Sequence, residues 1–166
     1  EAVAAAFGIE VRALQLLHTL PATIGGQQGL ILRTEETGEQ DFEVLLPADA
    51  VPAAWNQLMT SGAPFGIKPV GAQARELFRI EAGLPKAGPD LNEEIVPPEA
   101  NLEGKAFSLS KGCYPGQEVV ARMDTYGNVR RHLVGLIIQD KTVPPAGSKL
   151  FSGEREVGWV SSAVFS

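Results

Sequence analysis

Between Val11 and Leu46 every apolar run is cut short by a turn residue, and that rhythm limits the possible folds more than any other feature of the 166-residue chain. The blocks are Leu14 to Leu20, Gly29 to Leu32 and Phe42 to Leu46, punctuated by Pro21, Gly25-Gly26 and Gly38. Short apolar blocks bounded by glycine and proline predict a meander of antiparallel strands. The string Gly25 to Gly29, GGQQG, superficially suggests a phosphate loop. It lacks the Gly-Lys-Ser/Thr ending and no helical pattern follows it, so it reads as a hairpin turn.

Helical spacing takes over after Pro47. Asp49 is placed to cap a helix running to Thr60, with Val51, Ala54, Trp55, Leu58 and Met59 along one face. A short strand over Ile67 to Val70 leads to a second helix, Ala72 to Ala82, with Ala74, Leu77, Phe78 and Leu84 as its buried stripe and Gly83-Leu84-Pro85 as its stop. Strands followed by helices in this order predict an α+β fold, an antiparallel sheet with helices on one face. Residues 86–104, rich in proline, glycine and acids, read as an extended connection in which Glu93, Glu94 and Glu99 are solvated. Tyr126-Gly127-Asn128 then reads as a turn. The alternating run Arg131 to Gln139, the segment Lys149 to Phe151, the turn Gly153-Glu154 and the run Glu156 to Val164 predict a small C-terminal β-barrel, with Lys105 to Leu109 as a further strand. The expected domains are 1–104 and 105–166. Glu1 to Phe7 reads as the tail of a helix, so the chain reads as a fragment, incomplete at the N-terminus.

Composition narrows the function classes. With 44% hydrophobic and 20% charged residues the chain can bury a core. It has no apolar run of membrane-spanning length and no basic-then-apolar leader, which argues against a membrane partner. One cysteine cannot form an internal disulfide, in keeping with the cytoplasm. A net charge of −6 argues against nucleic acid. The charge is uneven, however: over residues 111–132 Lys111, Arg122, Arg130 and Arg131 outweigh Glu118 and Asp124. A cationic island in an acidic protein suits a small anion.

That island contains the chemically densest stretch, KGCYPGQE, Lys111 to Glu118. Gly112 and Gly116 permit close backbone approach, and Val119-Val120-Ala121 predicts a helix starting near Gly116 or Gln117. The unpaired N–H groups of a helix start, with Lys111, would favour an anion and also the thiolate of Cys113. Other chemistries find little support. His18 and His132 are far apart and no zinc spacing exists, so no metal site is expected. A Cys113–His132 nucleophilic pair is conceivable, but lone cysteines are more often inert, and a serine hydrolase lacks its elbow.

The string K-G-C-Y-x-G-Q-E resembles the signature of YgfZ-type folate-binding proteins, relatives of the glycine cleavage T protein. Leu77 to Pro85, LFRIEAGLP, is similar to the LRIEAGLP segment of the same superfamily, and Arg33 to Glu39, RTEETGE, is similar to the R-T-G-Y-T-G-E of the T proteins. The resemblance implies tetrahydrofolate or a folate derivative as ligand. It places the carboxylate of Glu81 on the pterin ring, whose N–H donor edge a carboxylate can accept in bidentate fashion. It marks Cys113 and Lys111 as candidate functional groups, and Arg79, Glu81, Lys111, Gly112, Tyr114, Gly116, Gln117, Glu118, Arg122 and Arg131 as candidate folate-binding residues. One of Arg122, Arg130 and Arg131 would hold the ligand's glutamyl carboxylate. Two functions follow from the resemblance. The first, favoured by the cysteine in the signature, is a folate-binding accessory protein that serves iron–sulfur proteins or their assembly factors. The alternative is a tetrahydrofolate-dependent aminomethyltransferase.

Overall fold

The computed structural model describes residues 1–127 and 129–166, and the chain divides into two compact units, Glu1–Phe78 and Arg79–Ser166. The first contains helix α1 (Ala2–Phe7), strands β1 (Thr19–Ile24), β2 (Gln27–Thr34) and β3 (Asp41–Leu45), and helix α2 (Val51–Gly62). Helix α3 (Ala72–Glu81) begins in this unit. The strands form an antiparallel sheet in the order β1-β2-β3, a meander as expected, but Pro21, read as the break after the first block, pairs with Leu30 inside β1, and residues 14–18 of that block are not strand.

Ile24 pairs with Gln27, so the β1–β2 turn is two residues long, Gly25 at φ +60° and Gly26 at φ +82°. Two consecutive positive φ angles define a type I′ hairpin, whose twist matches that of the strands it joins. The turn also fits closely against the start of α2, where a Cβ on Gly25 would lie 3.0 Å from the Ala54 nitrogen. Gln57 ties the parts together: its Oε1 accepts from the Gly25 N–H at 3.3 Å and its Nε2 donates to the Ala6 carbonyl. Along β1, Ala22 and Ile24 are buried while Thr19, Pro21 and Thr23 are exposed, the period of two that a half-buried strand requires. Ala22, Ile24 and Ile31 join Ala6, Phe7, Val11 and Ala54 in the core.

Several local expectations are corrected here. Asp49 does not cap α2: a 3-10 turn, Ala48–Ala50, precedes the helix, and neither start carries a side-chain cap bond. Ala54 is buried and Leu58 and Met59 are half-buried, whereas Val51 and Trp55 are exposed, so α2 rests on its small residues. No residue of α3 is buried, and Ile67 to Val70 is not a strand. Ile67 instead packs on Gly62, where a Cβ would come within 2.7 Å of it.

The second unit contains α4 (Gln117–Tyr126), a 3-10 turn at Pro97–Ala100, and a hairpin of β4 (Lys149–Ser152) and β5 (Arg155–Trp159). The expected C-terminal barrel is not found among the described residues, whose sheets have three and two strands. Residues 105–109 contribute only an isolated bridge, Glu103 to Phe107. The alternating run 131–139 forms no ladder, because nothing among the described residues pairs with it strand to strand. The expected turn at 126–128 ends on Asn128, outside the described residues.

Candidate functional site

The Lys111–Glu118 stretch folds by local rules. Gly116 is the N-cap of α4 at φ +85°, a left-handed conformation that glycine reaches without Cβ strain. The Gln117 N–H donates to the Tyr114 carbonyl at 3.2 Å, and the Tyr114 N–H donates back to Gln117 Oε1 at 3.3 Å. This reciprocal pair fixes the bend at Pro115-Gly116. Lys111 Nζ sits 4.6 Å from the centroid of the Tyr114 ring, a cation–π contact. The hydroxyl of Tyr114 is buried with no hydrogen-bond partner among the described residues. Cys113 and Gly112 are exposed beside it. Glu118 and Arg122, one turn apart on α4, form an exposed ion pair at 3.1 Å.

Arg79 is engaged inside its unit. Its guanidinium donates to Asp90 Oδ2 at 2.8 Å, to Ser162 Oγ at 3.2 Å and to the Leu84 carbonyl, and the side chains of Arg79 and Asp90 are 12% and 3% exposed. Ser161 and Ser162 donate to Asp90 Oδ1 at 2.5 and 2.7 Å, and the Lys86 N–H donates to Oδ2 at 3.0 Å. Burial pushes the Asp90 carboxyl up, but the Ser161, Ser162 and Lys86 hydrogen bonds and the Arg79 charge outweigh it and hold the group below 3.8. Asp90 was missed by the sequence reading. Its partners come from a helix end, a loop and a tail more than seventy residues on, so no local pattern signals it.

Glu99 is likewise not solvated, correcting that expectation. It is 6% exposed, accepts from the Val96 N–H at 3.2 Å and pairs with Arg131 at 3.0 Å. The Glu99 hydrogen bond and charge push the Arg131 guanidinium further above its usual range. Trp159 stacks on the same guanidinium at 5.5 Å. Glu81 at the end of α3 is exposed, and its carboxylate accepts from the Ser166 hydroxyl. The structure thus joins Lys111, Tyr114 and Gln117 into one contact set and leaves Cys113 facing solvent. It engages Arg79 and Arg131 with buried carboxylates.

A cavity of about 340 Å³ lies in the same unit, walled by Phe107, Leu109 and Val120 and edged by Glu103, Asp124 and His132. Neither Glu81 nor any residue of 111–118 lines it. No group of three or more histidines, cysteines or acids suited to a metal ion exists among the described residues. No helix among them is long and apolar enough to cross a membrane.

An antiparallel meander carrying helices, followed by the RIEAGLP and signature segments, defines a protein of the glycine-cleavage T superfamily. The GCVT N-terminal domain family matches residues 1–109, and the chain belongs to it. It is similar to aminomethyltransferases of several bacteria. Identity is 38% over 165 residues with that of Moorella thermoacetica, covering 91% of this chain and 44% of the relative. It is 34% over 143 residues with that of Caldanaerobacter subterraneus subsp. tengcongensis, covering 86% and 38%. With that of Prosthecochloris aestuarii it is 32% over 160 residues, covering 96% and 43%. The chain therefore spans about two fifths of the length of these relatives. The superfamily drawn from the motifs stands, and the relatives' names support the aminomethyltransferase alternative over the iron–sulfur reading put first.

Proposed function

We propose that this chain is the folate-binding portion of a tetrahydrofolate-dependent aminomethyltransferase, in which a carrier-bound aminomethyl group gives its one-carbon unit to tetrahydrofolate, the amino nitrogen leaving as ammonia and the carrier being freed. The observation that carries the reading is the family match over residues 1–109 together with relatives named aminomethyltransferase. Two features of the site support it. Glu81 is an exposed carboxylate, the acceptor that a pterin donor edge requires. Lys111, held over the Tyr114 ring, supplies positive charge for the ligand's carboxylates.

Calorimetric titration of tetrahydrofolate into the chain and into its Glu81→Gln variant tests the proposal. A charge-assisted bidentate contact is worth about 1.5–3 kcal/mol, so affinity is expected to fall roughly ten- to hundredfold. Equal binding by the two forms removes Glu81 from the pterin site, and no binding by either rejects folate for this chain. A second reading, an accessory role toward iron–sulfur proteins, is favoured by one observation only, the exposed Cys113 within the signature stretch. Retained iron–sulfur enzyme activity in cells carrying Cys113→Ala would reject it.

A further inference from the structure

We draw no further inference here: the strongest candidate, the cavity of the second unit walled by Phe107, Leu109 and Val120 with Glu103, Asp124 and His132 at its edge, carries nothing, because the chain spans about two fifths of the length of its relatives and nothing in the structure shows what covers that cavity in the protein.

Discussion

Two motifs that resemble the same superfamily behave oppositely in the second unit. Around Arg79 the charges are turned inward, Arg79 and Asp90 being 12% and 3% exposed and tied to Ser161, Ser162 and Leu84. Around Cys113 they are turned outward, with Lys111, Cys113, Glu118 and Arg122 all exposed. A charge enclosed in protein contributes to holding the chain together, and its loss leaves its partner uncompensated. A charge left in water contributes little to stability and is available to a ligand. Resemblance to a family motif does not by itself separate these roles; burial does.

The largest effect is expected at Arg79. Arg79→Ala leaves the Asp90 carboxylate buried without its cation, and denaturant unfolding is expected to show a loss of about 3–5 kcal/mol. A loss no larger than that of an exposed substitution would show that Asp90 is neutralised by its serines and backbone donor alone. Acid should expose the same cluster. Because the Asp90 carboxyl is held below 3.8, its stabilisation is fully present above 3.8 and is lost as the pH falls through the lowered value. Asp90→Asn should therefore be less stable than the parent at neutral pH and should show a shallower decline below 3.8.

A smaller effect is expected at the half-exposed pair. Arg131→Ala strands Glu99, which keeps its Val96 N–H bond, so unfolding should be easier by about 1–3 kcal/mol. If stability is unchanged while tetrahydrofolate binding falls, Arg131 belongs with the outward-facing set instead.

The parts of the fold legible in the sequence are those set by neighbours along the chain. Gly25-Gly26 announced the hairpin because a two-residue type I′ turn needs positive φ at both positions. Gly116-Gln117 announced the start of α4 by the same local logic. Burial was less legible. Trp55 lies on the expected apolar face of α2 yet is 51% exposed, since which part of a face is covered depends on partners distant in sequence. The run 131–139 has the alternation of a strand, but a strand exists only through the ladder it joins. Glu99 and Asp90 were misread or missed for the same reason, their cations being 32 and 11 residues away.

The smallest stability effects belong to the signature stretch. Cys113 is exposed, and Lys111 meets the Tyr114 ring with its own side chain in water. Truncating either creates no cavity and strands no buried partner, so Cys113→Ala and Lys111→Ala should each change unfolding free energy by no more than about 0.5 kcal/mol. Binding should separate them. Lys111→Ala removes a cation and is expected to weaken tetrahydrofolate while steepening neither melt nor acid transition, whereas Cys113→Ala removes no charge-assisted donor and should bind as the parent does. Thermal melts and calorimetric titrations on the two variants, run beside Arg79→Ala, would place a residue that loses stability with the inward group and one that loses only affinity with the outward group. Loss of both in Lys111→Ala would mean that its contact with Tyr114 supports the bend at Pro115-Gly116, and that the outward-facing stretch depends on its own charges for shape.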